Sequence, residues 1–391
     1  MSDTVTSTNT AGLLEGLLVI DMAQFLSGPS AALRLGDLGA RVIKVERPET
    51  GDICRSLYMT DTEIDGDSTL FHAINRNKES LAADLKNSDE AAMVHALIAR
   101  ADVVIQNFRP GVAARLGFGP ENLRKANPRL VCATISGYGD AGPWVDLPGQ
   151  DLLAQALSGV MWLNGSAGDG PVPVGLSIAD MLAGHILTEG ILAALVRRSL
   201  TGQGAHIETS LLEAVIDFQF EVLTTHLNDG GKMPQRAQVD NAHAYLAAPY
   251  GVYKTADGYL ALAMTPLVKL QPLLEIDLLG AGDTRGFAHR DALKALIAAR
   301  LAEAPTDHWL DVLRAQDIWC APVLDWPQLL ASAAFQRLNM LQTLNRHGQK
   351  LTTTATALRV DGARAHRAIA APQVGAHSQA LIAEFGLKAI P

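Results

Sequence analysis

Between Leu17 and Ser136 short apolar or β-branched runs alternate with amphipathic segments, and no other feature of the chain constrains its fold as strongly. Leu17-Leu18-Val19-Ile20 ends at Asp21, Gly28-Pro29-Ser30 punctuates, and Ala31 to Leu38 follows in a helical pattern, which reads as strand, turn, helix. Arg41 to Glu46 and Ser80 to Leu85 read as further strands, and Asp89 to Arg100 as a helix. Asp102 to Phe108 and, after the Asn127-Pro128 break, Arg129 to Ser136 read as buried strands. Strands and helices alternating at this spacing predict an α/β fold with a doubly wound, mostly parallel sheet. Ile178 to Leu200 is apolar around most of its circumference and predicts a central helix, stopped at Thr201-Gly202-Gln203-Gly204.

A short strand and a long helix, Ser210 to Leu227, follow, and the pattern then breaks over Asn228 to Ala242. Beyond it, Tyr250 to Met264 predicts a hairpin turning at Ala256-Asp257-Gly258, with helices over Pro266 to Leu279 and Arg290 to Ala304. Thr352 to Val360 is strand-like and Ser378 to Phe385 helical. The expected organisation is a flexible tail (1–12), a large domain (13–227), a linker or active-site loop (228–245), a smaller α+β domain (246–335) and a tail returning to the large domain (336–391).

Among the 391 residues, 32 Lys and Arg face 41 Asp and Glu, a net charge of −9 without any basic block, which argues against nucleic acid as a partner. Cys54, Cys132 and Cys320 have no CxxC spacing, so neither a disulfide framework nor a zinc site is expected. The start MSDTVTSTNTAG lacks the charged and apolar regions of a signal peptide, and no uncharged run is long enough for a membrane span. A cytoplasmic protein is expected.

The first turn, Gln24 to Ser30, contains neither GxGxxG nor GxxxxGK[ST], so no nicotinamide or P-loop site is expected, and it is either a tight turn or part of a ligand crevice. Arg47, Lys86, Arg109 and Arg115 each follow a predicted strand. Singly, each reads as a solvated surface charge. Because strand ends of a parallel sheet converge, together they suit the phosphates of a phosphorylated ligand. Asp180 opens the central helix and is either a cap or a nucleophile, since the field of a helix start keeps a carboxylate ionised in both cases. His185 and Glu189, four residues apart, lack the rest of a metal site, and His72 reads as structural.

From about Leu13 to Leu387 the chain resembles the class III CoA-transferases, the family that includes formyl-CoA transferase, crotonobetainyl-CoA:carnitine CoA-transferase and α-methylacyl-CoA racemase. The resemblance rests on LEGLLVIDMAQFLSGPSAALRLGDLGARVIKVERPETGD at Leu14 to Asp52, NRNKESLAADLK at Asn75 to Lys86 and ADVVIQNFRPGVAARLGFG at Ala101 to Gly119. It continues through ISGYGDAGP at Ile135 to Pro143, SIADMLAG at Ser177 to Gly184 and TGQGAHIETSLLEA at Thr201 to Ala214. It implies that Asp180 is the catalytic nucleophile and that the large domain is a Rossmann-like CoA-binding domain. The CoA contacts it implies are Leu26, Ser27, Arg47, Ala83, Asp84, Leu85, Lys86, Asn107, Phe108, Arg109, Arg115, Pro148, Gly149, Gln150 and Asp151. It further implies an interlocked homodimer whose active sites lie where domains and subunits meet, with acyl-CoA and a carboxylic acid as substrates and no metal, flavin or nicotinamide.

Two departures refine this. The racemase branch has a His where this chain has Gln150, and an amide cannot exchange protons. Formyl-CoA transferase has a Gln where this chain has Leu26, and a glycine run where this chain has only Asp229-Gly230-Gly231-Lys232, which argues against formyl or oxalyl specificity. The expected activity is CoA transfer through an aspartyl mixed anhydride and an aspartyl-CoA thioester, with a small dicarboxylate as acceptor and Arg236, His243 and Tyr245 as residues that would select it. The alternatives are an acyl-CoA racemase or epimerase and a non-catalytic CoA-binding protein.

Overall fold

The computed structural model describes residues 12–278, 280, 285–364 and 367–388. Apart from Gly12, the tail expected over 1–12 lies outside the described residues. The first of two compact units is built from β1 Leu18–Asp21, α1 Ser27–Asp37, β2 Arg41–Glu46, β3 Lys78–Ala82, α2 Ser88–Ile98, β4 Val103–Gln106, α3 Pro120–Ala126, β5 Val131–Ser136, α4 Ile178–Thr201 and β6 His206–Ser210. Its six-stranded sheet runs β3-β2-β1-β4-β5-β6, with every pairing parallel. That order is the doubly wound one expected from the sequence, and its reversal between β1 and β4 opens a crevice at their carboxyl ends.

Side-chain alternation divides the sheet between two layers. Ile20, Ile43, Val45, Leu81, Val104 and Cys132 pack on one face with Val94 and Leu97 of α2, Leu123 of α3 and Leu381 of the C-terminal helix Ser378–Glu384. On the other face Lys78 reaches Pro29 of α1, and Gly190 of α4 lies against Ile207 of β6. By length and composition alone α4 is apolar enough to cross a membrane. Its Ala179, Ala183, Leu187 and Ile191 are nevertheless fully buried within the protein, as in the core helix of a globular domain.

Several boundaries differ from the sequence reading. β3 begins at Lys78 instead of Ser80, because a buried and paired lysine hides the strand's start; past Ala83 the chain leaves the ladder, and Asn87 caps α2. The single helix expected over Ser210 to Leu227 is two, Leu211–Phe218 and Phe220–Asn228. At the break the Gln219 N–H donates to Ile216 O, and its side chain donates to Ser158 O. The strand expected over Thr352 to Val360 is Gln349–Thr354, antiparallel to Leu341–Arg346, followed by a separate Arg359–Val360.

The second unit comprises residues 155–176 and 216–338. Its three-stranded antiparallel sheet holds the expected hairpin, Gly251–Lys254 with Tyr259–Leu262, and adds Cys320–Pro322. Helices Leu267–Leu274, Arg290–Leu301 and Thr306–Arg314 enclose its core of Tyr253, Leu260, Ile297, Trp309 and Leu313. The first of these stops short of the expected Leu279, which lies outside the described residues. Residues 155–176 and 216–227, expected in the large domain, belong to this second unit, and the chain rejoins the first unit at Asn339.

Candidate active site

Between β1 and α1 the backbone polar atoms are held by side chains from elsewhere in the chain. The Ala23 N–H donates to Asp21 Oδ1 (3.0 Å), and Ala23 O accepts from Lys44 Nζ (2.8 Å). Asn107, just past β4, takes both groups of Gln24: it accepts from the N–H (2.9 Å) and donates to the carbonyl (2.7 Å). Phe25 adopts the left-handed conformation at φ 62°, which a bulky residue keeps only where its surroundings over-determine it. Its N–H donates to Asp52 Oδ1 (3.2 Å), and its carbonyl accepts from Cys54 Sγ (3.1 Å).

Beneath the turn lies a buried charge network. Lys44 pairs with Asp52 (2.7 Å), while Lys78 pairs with Asp21 (2.8 Å) and donates to Pro29 O and Asn75 Oδ1. Buried charges persist only when paired and hydrogen-bonded, so this network has one arrangement and fixes the turn above it. Burial opposes ionisation of Asp21, but Lys44 and Lys78 hold its carboxyl below the usual carboxylate range. Burial pushes Lys78 down to about 8, with Asp21 resisting and Lys44 adding to the shift. None of these four residues stands out in the sequence as part of a site. The available signal was a charge inside an apolar strand of a two-faced sheet, which has to find a partner.

The clamped turn presents Ser27 to Asp180. Asp180 lies in the first turn of α4, half-buried, and its carboxylate hydrogen-bonds to the Ser27 hydroxyl and backbone. The sequence leaves open whether Asp180 is merely a cap. In the structure Asp151 is the cap: its Oδ1 accepts from the N–H groups of Ala179 (2.7 Å) and Asp180 (3.2 Å), which α4 cannot satisfy internally. The Asp180 carboxylate is therefore free of that role. Burial and the Asp151 charge push it up to about 6, against the hydrogen bonds from Ser27.

Two close approaches set this geometry. A Cβ on Gly149 would lie 2.6 Å from Gly137 Cα, so the pair closes the loop that delivers Asp151. A Cβ on Gly184 of α4 would lie 2.2 Å from Ser30 Oγ and 2.8 Å from Ser27 O. Gly184→Ala is expected to part α1 from α4, lowering stability by about 1–3 kcal/mol and cutting turnover in the variant that still folds. A urea melt and an activity assay on the same sample check both.

Arg47, Lys86, Arg109 and Arg115 are all exposed, and among the described residues none of their side chains is held by an ion pair or hydrogen bond. Lys44, Arg55, Arg76 and Lys78, by contrast, are buried against carboxylates. The four free cations follow β2, β3 and β4, on the carboxyl side of the sheet, as do Ala83, Asp84, Leu85 and Phe108, while Leu26 follows β1. Pro148 accepts from the Tyr138 hydroxyl (3.0 Å), and the exposed Gln150 starts the helix Asp151–Ser158.

The residues expected to select the acceptor separate. Arg236, expected to help select the acceptor, is buried with its guanidinium on Asn164 O. His243 faces Glu221 at 3.8 Å, and the Tyr245 hydroxyl is buried without a hydrogen-bond partner among the described residues. His72 is buried against Ile64 O (2.8 Å) and held neutral by that burial, as its structural reading expects. His185 bonds Met181 O, and among the described residues no group of three or more His, Cys, Asp or Glu is placed to hold a metal.

The comparisons agree on what this arrangement belongs to. The chain matches the family model described as CoA-transferase family III over residues 14–378. It is 37% identical to the acetyl-CoA:oxalate CoA-transferase of Acetobacter aceti, over 86% of this chain and 85% of that protein. It is 30% identical to the succinyl-CoA:glutarate CoA-transferase of Mus musculus, over 95% of this chain and 86% of that protein. A CAIB/BAIF family protein from Brucella suis has the same fold with a TM-score of 0.82 at 30% identity, covering 96% of this chain and 100% of that one. With its doubly wound sheet and its match running almost from end to end, the chain belongs to CoA-transferase family III and is an enzyme of that family.

Proposed function

We propose that Asp180 is the covalent carrier of CoA transfer. The observation that carries this reading is the division of labour at the start of α4, where Asp151 caps the helix and leaves the Asp180 carboxylate to Ser27 and the substrate. The carboxylate attacks the donor acyl-CoA carbonyl and expels the CoA thiolate, giving an aspartyl mixed anhydride. The thiolate attacks the aspartyl carbonyl, releasing the donor acid and leaving an aspartyl-CoA thioester. The acceptor carboxylate displaces the thiolate again to form a second anhydride. Thiolate attack on its acyl carbon gives the new acyl-CoA and restores Asp180. Each anhydride hydrolyses unless water is kept away, and the remote nucleotide binding energy holds the reacting atoms together. Arg47, Lys86, Arg109 and Arg115 bind the CoA phosphates, supported by their exposure without partners. Leu26, Ala83 to Leu85, Asn107, Phe108 and Pro148 to Gln150 complete the contacts.

The acceptor is a small dicarboxylate: the two curated relatives are named for oxalate and glutarate. The oxalate name makes oxalate one arm of the test despite Leu26. We place the enzyme in the cytoplasm as an interlocked homodimer. Its free cysteines and the exposure of Trp326 (80%), Phe220 (70%) and Leu200 (83%), surface that a second copy would cover, support this.

In the decisive experiment the enzyme is mixed with acyl-CoA alone, quenched in acid and digested. The peptide carrying Asp180 is expected to gain CoA in thioester linkage, and turnover without an adduct at that residue would overturn the mechanism. Oxalate, succinate and glutarate set against matched monocarboxylates then test the acceptor class. The pH dependence follows from the same site. Only the ionised carboxylate attacks, so kcat/KM is expected to rise with pH through about 6 and level off above it. Asp151→Asn keeps a good cap and removes the neighbouring charge, which favours ionised Asp180 and moves the midpoint to lower pH. A midpoint left in place would show that Asp151 does not act on Asp180.

A further inference from the structure

On the sheet face that packs against α2 and α3, three adjacent strands carry a row of polar side chains below the loop that follows β4. The Phe108 N–H donates to Gln106 Oε1 (2.9 Å), Gln106 Nε2 donates to Thr134 Oγ1 (3.0 Å), and Thr134 Oγ1 meets His206 Nε2 at 3.1 Å. His206 Nδ1 faces Glu208 Oε2 at 3.4 Å. The Phe108 end fixes the orientation of the Gln106 amide. Because an N–H occupies the Gln106 amide oxygen, its NH2 is the donor to Thr134, whose hydroxyl shares one proton with His206 Nε2. Burial holds His206 below its usual range, with Glu208 and Asp140 opposing and Arg124 adding, which suits a neutral ring.

The loop is also tied by the Asn107 side chain to Gln24 and by Phe108, which packs partly against the core on this face. Phe108, Arg109, Gly111 and Ala114 line a cavity of about 410 Å³ together with Gln106, Thr134, His206 and Glu208. On the side where the cavity opens, the row gives the Phe108 N–H a directional anchor in place of packing.

We infer that Gln106, Thr134 and His206 are positioning residues that, through the Phe108 backbone, set where Arg109 meets the CoA phosphates. The inference rests on the proposed CoA contacts of the Asn107 to Arg109 segment. It adds residues that act on CoA affinity without any part in the chemistry.

The test compares Thr134→Val, Thr134→Ser, Gln106→Leu and Arg109→Ala by CoA titration calorimetry and by acyl-CoA kinetics. Valine matches threonine in shape and suits a strand, so Thr134→Val removes only the hydroxyl. It is expected to raise the CoA Kd and acyl-CoA KM about 3- to 10-fold, as one or two lost hydrogen bonds would. The same variant keeps kcat within about twofold, in line with its absence from the reacting atoms. Thr134→Ser restores wild-type affinity, and Gln106→Leu repeats the loss independently. Adding Thr134→Val to Arg109→Ala costs nothing further, because the row acts through that arginine. If Arg109→Ala weakens CoA binding while Thr134→Val does not, or if their effects simply add, the positioning role is overturned alone. If Arg109→Ala leaves CoA affinity unchanged, the assignment of the loop to CoA falls, and the inference with it.

Discussion

Asp180→Asn is expected to abolish CoA transfer, with kcat/KM falling by a factor on the order of 10⁴ or more, the scale seen when a covalent nucleophile is removed. The amide keeps the size of the carboxylate and its contact with Ser27, but it has no charge with which to attack a thioester. CoA affinity is expected to stay near wild type, since the cations that would hold the phosphates lie on separate loops after β2, β3 and β4. Stability offers a second readout with a definite sign. The folded-state pKa of Asp180, about 6, lies above the ordinary aspartate value, so above that pH the native protein carries an ionised group that burial disfavours. The asparagine variant lacks this cost and is expected to melt no lower than wild type at pH 8, with the difference narrowing as the pH falls below 6. Thermal melts at pH 5 and pH 8 beside the transfer assay separate a lost nucleophile from a lost fold. Transfer retained by this variant would remove Asp180 from the chemistry.

Asp21→Leu is expected to produce the largest loss of stability, about 3–5 kcal/mol, because it leaves the buried Lys78 ammonium without its carboxylate. Lys44 keeps Asp52 at 2.7 Å, so the damage centres on Lys78, whose remaining partners are the neutral oxygens of Pro29 and Asn75. Replacing both members, Asp21→Leu with Lys78→Met, removes the stranded charge and is expected to recover most of the loss. The recovered protein still lacks the Lys78 bond to Pro29 and the Asp21 bond to the Ala23 N–H. It is therefore expected to fold yet turn over slowly, because the turn that carries Ser27 is no longer fixed. Urea denaturation of the single and double variants reads the coupling. An Asp21→Leu protein within 1 kcal/mol of wild type would refute the pairing as a source of stability.

Legibility followed the range of the interactions involved. β1, β2, β4 and β5 were readable because β-branched runs between turns reflect burial on both sides of a sheet, a property each segment carries in its own residues. β3 was misplaced at Lys78 because a charge normally marks a strand's limit, and only Asp21, 57 residues away, makes it an interior position. The helix break at Gln219 was hidden in the same way, since an apolar pattern continues across it while the side chain bonds Ser158. Arg236 read as an acceptor-selecting residue, and only the fold brings it to Asn164, 72 residues distant, which holds its guanidinium.

The site divides along similar lines. The sequence by itself determined a doubly wound parallel sheet, the cations that follow its strands and an aspartate at the head of the long helix, since local periodicity and strand direction are enough to place them. Tertiary structure alone decided what that aspartate is free to do. Asp151, 29 residues earlier, caps α4; Ser27 bonds the carboxylate; and Asp21, Lys44, Asp52 and Lys78 hold the turn that carries Ser27. Each of these pairings joins charges or dipoles far apart along the chain, and their energy depends on distance and burial, which exist only once the chain has folded.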